Sequence, residues 1–356
     1  MAFRIAQFNI LGRQMAGTMW FHYAKDFLPR QLALECPDWY QSAGFPRCLL
    51  WKPEDGPARF YRFPVLLAEI RAQRADILCL VELDCFGEFR DALHEEGYDA
   101  VFRQRPGRQD GCGIFWRRDL FTAASASRSL VFQVPVNDRI ALAQPLRHVA
   151  TQRPIVVVST HLHWDMEAGH QASEAEELLA FVRDVETSEG AEFEGTTVVC
   201  GDLNTVPGAT AYELLCRRFR DAAAPYAPGM FTSLKPDVYY YAWPRGKRND
   251  PTAAYQWHYA PGRSHVIDYV LYDASALELQ APAQVPCVDI TAKGKAKPPY
   301  GFWAGDLAFA ASPAAGLEER RFDEDWVPLR KQGELQVGIP NRVHGSDHVP
   351  VTCALR

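Results

Sequence analysis

The chain is 356 residues long, 47% hydrophobic and 23% charged, which supplies a sizeable core and excludes disorder as the main state. Its 38 Lys and Arg against 44 Asp and Glu leave a net charge of −6, so it lacks the basic footprint of a protein that holds long nucleic acid by phosphate neutralisation alone. No apolar run reaches the roughly 18–20 residues that cross a bilayer. No signal-peptide pattern precedes the first strand-like segment. The nine cysteines, an odd number without zinc-spaced pairs, fit reduced thiols better than a disulfide framework. The expectation is a monomer in a reducing intracellular compartment, cytoplasm or nucleus, without a membrane partner.

In chain order, strand-like runs are expected at 4–8, 77–81, 113–116, 129–134, 155–160, 197–200, 266–272 and 349–354. Helical patterns lie between some of them. Pro64 to Arg74 carries Leu66, Leu67 and Ile70 on one side, Glu88 to Glu96 is closed by Gly97, and Gln171 to Val185 has Leu178, Leu179 and Val182 as its stripe. A further helix is expected after Pro207. Hairpin-like and helix-linked strands together argue for an α+β or layered mixed-sheet fold rather than a regular βαβ repeat. With no internal repeat and no long linker, one domain over 1–356 is expected, bearing surface insertions near 36–59, 235–263 and 289–330 where substrate preference is set.

Five places at strand ends combine carboxylate, carboxamide and imidazole groups. Asn9 follows the apolar run ending at Phe8, where it reads as a turn residue or as a partner of a phosphate or metal-bound water. Glu82 follows Ile77–Val81, and a carboxylate held by so apolar a strand is a good oxygen ligand for Mg²⁺, or else a cap for the next helix. After Ile155–Val158 come His161 and His163, which share one face if the strand continues; a zinc reading lacks a third nitrogen or sulfur donor. Gly201-Asp202-Leu203-Asn204 is the most specific local pattern, with Gly201 permitting a sharp exit from the strand and Asp202 and Asn204 pointing the same way. Asp268 lies in an apolar strand and His348 stands just before the last one. A buried carboxylate needs a partner, and an Asp268–His348 bond would fix the ring tautomer and favour the imidazolium.

Taken in order, Phe8-Asn9-Ile10-Leu11, Leu80-Val81-Glu82, Asp110 to Phe115, Thr160-His161-Leu162, Gly201 to Asn204, Ile267-Asp268-Tyr269 and Ser346-Asp347-His348 resemble the endonuclease/exonuclease/phosphatase superfamily. The Asp-Gly-Cys segment and His161 to Asp165 are similar to its branch of carbon catabolite repressor type deadenylases, nocturnin, Angel proteins and 2′-phosphodiesterase. The resemblance implies a four-layer α/β/β/α sandwich of two mixed sheets and Mg²⁺-dependent cleavage of a phosphate ester, with one or two metals and Mn²⁺ as a substitute. It implies Glu82, Asn9, Asp347 and Asp202 around the metal, Asp202 and Asn204 on the attacking water, and His161 and His348, the latter held by Asp268, on the scissile phosphate.

Three positions depart from the family pattern. Val81 stands where the family has Gln, and Arg263 and Met166 stand where deadenylases place the aromatic and Pro that sandwich adenine. His163, Asn204, Arg263 and Arg103 are the expected substrate contacts. The basic groups at Arg103, Arg105 and Arg108, Arg245 to Arg248 and Lys293 to Lys297 either guide a short RNA or are solvated loop charge. The leading reading is a stand-alone 3′–5′ exoribonuclease of the deadenylase type that releases 5′-mononucleotides from an RNA 3′ end. A small phosphorylated nucleotide, such as NADP at its 2′-phosphate or 2′,5′-oligoadenylate, is the alternative substrate, and a catalytically silent scaffold is the third reading.

Overall fold

Strand alternation decides which residues meet in this molecule. The computed structural model describes residues 2–13, 62–134, 138–226, 231–235, 238–242, 256–260, 263–284 and 346–356. Its strands begin with β1 (Phe3–Asn9), β2 (Ile77–Val81), β3 (Tyr98–Gln104), β4 (Gly111–Arg117), β5 (Phe121–Ala123), β6 (Arg128–Val131), β7 (Ile140–His148), β8 (Pro154–His161) and β9 (Thr197–Asp202). They continue with β10 (Arg220–Asp221), β11 (Ser233–Lys235), β12 (Val238–Ala242), β13 (Gln256–Ala260), β14 (Arg263–His265), β15 (Asp268–Tyr272), β16 (Leu279–Gln284) and β17 (Val351–Leu355). The helices are α1 (Arg62–Gln73), α2 (Phe86–Glu95), α3 (His170–Glu189) and α4 (Thr210–Cys216).

One mixed sheet has the order β16-β17-β1-β2-β4-β3, the other β10-β15-β9-β8-β7-β5 with β6 also on β7. Every second residue of each sheet enters the gap between them. Ile5, Cys79, Ile114 and Val351 from the first sheet meet Leu142, Val157, Val198 and Val270 from the second in one buried cluster. The alternate residues face outward. Phe8, Leu78 and Leu80 pack under Leu66, Ile70 and Phe89 of α1 and α2, and Val156, Val158 and Val199 under Leu178, Val182 and Leu215 of α3 and α4. The result is the expected four layers. Each fully buried aliphatic side chain in them contributes about 1.5–3 kcal/mol.

Several boundaries differ from the sequence reading. The first helix begins at Arg62 and α3 runs on to Glu189. β3 and β7 lie where no strand was expected. β7 contains Pro145, a residue that argues against a central strand because it cannot donate to the ladder. It is tolerated because residues 146–148 pair with β5 and 140–143 with β6, so Pro145 falls in the break between them. Gly201 is also reassigned: it is not an exit, since β9 runs through it to Asp202. A Cβ there would sit 2.2 Å from the Thr160 carbonyl oxygen, so glycine is what lets β9 lie against β8. The turn is made instead by Asn204, in the left-handed region at φ 45°. The insertions at 36–59 and 289–330 lie outside the described residues, as does most of 235–263.

Candidate active site

Pairing register alone gathers the acidic residues. In the parallel β8–β9 pair His161 is opposite Asp202, and in the antiparallel β9–β15 pair Asp202 is opposite Asp268. By alternation all three share the inner face with Val157, Val198 and Val270, at the end of the second sheet. In the first sheet Asn9 closes β1 opposite Val81. Continued alternation would turn residue 82 outward, but Glu82 has a left-handed backbone, φ 54°, and its side chain reaches Asn9. His348 arrives just ahead of β17, held by its backbone N–H donating to Ser346 Oγ (3.2 Å) while that hydroxyl donates to the Asn9 carbonyl (2.7 Å).

Asn9 is the hub. Its Nδ2 donates to Glu82 Oε1 at 3.1 Å and Asp202 Oδ2 at 3.0 Å, and its Oδ1 accepts from the Leu11 N–H at 2.9 Å. The other Glu82 oxygen accepts from the Gly12 N–H at 3.3 Å. Asp202 Oδ1 accepts from the Asn204 N–H at 3.0 Å, and its Oδ2 lies 3.6 Å from His161 Nε2 and 3.7 Å from His348 Nε2. Asn204 Nδ2 lies 3.1 Å from His161 Nε2 and donates to the Leu162 carbonyl, also at 3.1 Å. Asp268 Oδ2 is 2.7 Å from His348 Nδ1, and its Oδ1 accepts from Gln7 Nε2 at 2.8 Å. The site thus joins β1, β2, β8, β9, β15 and the approach to β17.

Burial shapes the electrostatics. Asp202 is 2% exposed and Asp268 is fully buried. Desolvation, with the charge of Asp268 behind it, pushes the Asp202 carboxyl up to about 7. Burial and then Asp347 push Glu82 up as well. For His348 burial favours the neutral ring, but Asp268, then Asp347, outweigh it and raise the imidazole to about 10. Like charges this close, sharing one amide nitrogen, are relieved by a cation. Glu82, Asp202, Asn9 and the neighbouring Asp347 offer the oxygen donors that Mg²⁺ or Mn²⁺ prefer, so the residues fit such an ion. Donor atoms of Asp202, Asp268 and His348 also lie within 4.8 Å of one another. There, however, Asp268 and His348 Nδ1 are consumed by each other and by Gln7, which makes that pair a hydrogen-bonded support behind Asp202.

The structure therefore brings together Asn9, Glu82, His161, Asp202, Asn204, Asp268, Asp347 and His348. The substrate contacts are another matter. β8 ends at His161, so His163 does not share its face; its N–H donates to Glu174 Oε2 (2.8 Å), its carbonyl accepts from Gln171 Nε2 of α3 (2.5 Å), and its ring stacks near exposed Trp164. Arg103 is exposed on edge strand β3, and the Arg263 side chain lies outside the described residues. Arg105 is not a free guide for RNA, because it is buried on Asp110 (2.9 Å) and Asp138 (3.0 Å). Sequence reasoning missed Gln7, Ser346 and Thr232, whose Oγ1 accepts the Ile267 and Asp268 N–H groups at 3.0 Å. Gln7 had a cue: it lies two residues before Asn9, on the same face of the strand.

Residues 7–348 match the Endonuclease/Exonuclease/phosphatase family, which covers nearly the whole chain and every residue of this site. The chain belongs to that family. As an endonuclease/exonuclease/phosphatase protein it is 34% identical to Protein angel homolog 2 of Bos taurus over 167 residues, 44% of this chain and 30% of the relative. It is 24% identical over 370 aligned positions to the CCR4-Not complex 3′-5′-exoribonuclease subunit Ccr4 of Coccidioides immitis, 80% of this chain and 46% of that one. The chain thus spans less than half the length of either relative. The crystal structure of ANGEL2, a 2′,3′-cyclic phosphatase, in complex with adenosine-2′,3′-vanadate has the same fold, with a TM-score of 0.58 at 19% identity, covering 100% of this chain and 95% of that one.

Proposed function

We propose that this family member hydrolyses a phosphate ester of a nucleotide with the help of a divalent cation, acting as a 3′–5′ exoribonuclease that releases 5′-mononucleotides. The observation that carries the reading is the single hydrogen-bonded array running from Glu82 through Asn9 and Asp202 to within reach of His348 and Asp268. Mg²⁺, or Mn²⁺ in its place, would be held by Glu82 with Asn9, Asp347 and Asp202, and when bound it supplies positive charge against the phosphoryl oxygens. Asp202, anchored through Oδ1 to the Asn204 N–H, orients a water and accepts its proton. His348, with Nδ1 committed to Asp268, presents Nε2–H as a charged donor to a phosphoryl oxygen, while His161 and Asn204 hold the opposite side. No covalent intermediate is required.

A second reading keeps the machinery and changes the substrate to a small phosphorylated nucleotide: a 2′,3′-cyclic phosphate, NADP at its 2′-phosphate, or 2′,5′-oligoadenylate. The solved neighbour ANGEL2, a 2′,3′-cyclic phosphatase, favours the first of these. Incubation in Mg²⁺ with oligo(A)-tailed RNA, an oligo(C)-tailed control, adenosine 2′,3′-cyclic phosphate, NADP and 2′,5′-oligoadenylate separates the two. Stepwise shortening of an RNA tail is the expected result, and turnover of the small molecules alone would replace the first reading with the second. Inertness towards all five contradicts both and revives the scaffold reading.

A further inference from the structure

Among the described residues three arginines are deeply buried near this end of the molecule, and two of them make hydrogen bonds. Arg62 donates to the Ile10 and Leu11 carbonyls, and Arg105 holds Asp110 and Asp138. Arg139 is the third. It is 7% exposed, yet its guanidinium makes no hydrogen bond among the described residues: Nε and Nη1 are enclosed without a partner, and the nearest carboxylate oxygen, Asp138 Oδ1, is 3.8 Å from Nε. Arg105 and Arg108 both engage Asp138 Oδ2; Oδ1 is enclosed without a hydrogen bond and forms only a loose ion pair with Arg139 Nε, which leaves Nη1 unmet. An enclosed donor left unmade is costly, and a buried charge with only a loose counter-ion costs more. Such a residue persists where something else meets its need.

Its position identifies the need. Arg139 immediately precedes Ile140, the residue paired with His161, so it lies at the same end of the second sheet as His161 and Asp202. Its charge is felt at His163, and Glu82 and Glu174 are among the acids that oppose it. A guanidinium presents planar paired N–H donors that match a phosphate. We propose that Arg139 binds a second phosphate of the substrate, next to the one being hydrolysed, so that the site selects oligonucleotides with consecutive phosphates over esters that carry one. This deepens the exoribonuclease reading and rests on it for the substrate, though not for the anion.

Two measurements on wild type, Arg139→Met and Arg139→Lys test it. The first is steady-state hydrolysis in Mg²⁺ of an oligo(A) pentanucleotide and of bis(4-nitrophenyl) phosphate, which holds a single phosphate. Arg139→Met is expected to raise KM for the pentanucleotide at least tenfold with kcat changed less than threefold, to lower selectivity for it over the single-phosphate ester at least tenfold, and Arg139→Lys to recover part of the loss. The second is thermal melting in EDTA with and without inorganic phosphate, a condition in which the acidic cluster repels anions. Phosphate should raise the melting temperature of wild type and not of Arg139→Met, whose melting temperature without phosphate equals or exceeds that of wild type. Unchanged KM together with an unchanged phosphate response overturns the proposal, as does an Arg139→Met protein that melts several degrees lower without phosphate, which would make the arginine a structural ion-pair member. A lost phosphate response with unchanged KM assigns the group to free phosphate and overturns the substrate role. If wild type cleaves no pentanucleotide, the exoribonuclease reading has failed, and the melting arm alone judges Arg139 as an anion site.

Discussion

Asn9 does at the residue scale what no acid in the site does alone: one carboxamide nitrogen ties Glu82 and Asp202, 120 residues apart in sequence, into a single array. Removing either carboxylate while keeping its shape tests that array. Glu82→Gln and Asp202→Asn should each lower kcat at least about a hundredfold, the weight typical of metal and electrostatic contributions, with the folded state intact by circular dichroism. Activity within a few-fold of wild type in either variant would show that the acid is not where the chemistry happens. Gly201 makes a second residue-scale case. With the Thr160 carbonyl oxygen 2.2 Å and its carbonyl carbon 3.0 Å from where a Cβ would stand, the obstacle is the backbone of β8, which cannot yield cheaply. Gly201→Ala should cost about 1–3 kcal/mol of stability in urea denaturation, the usual scale of overpacking. Stability equal to wild type would mean that β9 has slack which the geometry does not suggest.

Helix α3 carries an unusual acid at the scale of elements. Glu174 is fully buried; Oε2 accepts the His163 N–H at 2.8 Å, while Oε1 is enclosed without a hydrogen bond. Desolvation raises its carboxyl to about 7 against an ordinary 4.5. The sign follows from proton counting: between those values the folded chain binds the proton and the unfolded chain has lost it, so this residue makes stability fall as pH rises through that window. Below about 4.5 its effect vanishes. Glu174→Gln keeps an acceptor for His163 and removes the charge, so at pH 8 it should be more stable than wild type, by roughly 2–3 kcal/mol at most, and equal to it near pH 4. Chemical denaturation at the two pH values measures this, and a variant less stable than wild type at pH 8 contradicts it. Elements also show what the sequence could reveal. Strands with clean apolar runs, such as Ile77–Val81 and Ile155–Val158, were readable because burial on both faces leaves no ambiguity. β7 was not, because Pro145 and Gln144 interrupt its pattern and only the paired break between β5 and β6 excuses the proline. The shared face of His161 and His163 required the strand to continue, and β8 ends at His161, where Gln171 and Glu174 of α3 bond the backbone of His163.

For the whole molecule, the site residues were legible because each sits at the end of a readable strand. Which oxygens face one another was not, since that depends on register between strands distant in sequence and on the left-handed backbone at Glu82. His348 and Asp268 meet across 80 residues because β17 and β15 occupy different sheets that share the inner core. The acidic end of the sandwich therefore stores repulsion that a cation relieves. Mg²⁺ should raise the melting temperature, with the concentration dependence of a ligand that binds the folded state, about 2.7 kcal/mol at a hundredfold excess over Kd, and Glu82→Gln should blunt the response. A melting temperature indifferent to Mg²⁺ in wild type would count against a metal in this site.

The most direct test of the central claim, that these strand ends form a metal-assisted phosphodiesterase, is the time course of an oligo(A)-tailed RNA with wild type in Mg²⁺, wild type in EDTA, and Glu82→Gln in Mg²⁺. Stepwise loss of 5′-mononucleotides is expected in the first reaction, and a rate at least about a hundredfold lower in the other two. Cleavage at the same rate in EDTA, or with Glu82→Gln, would contradict the claim.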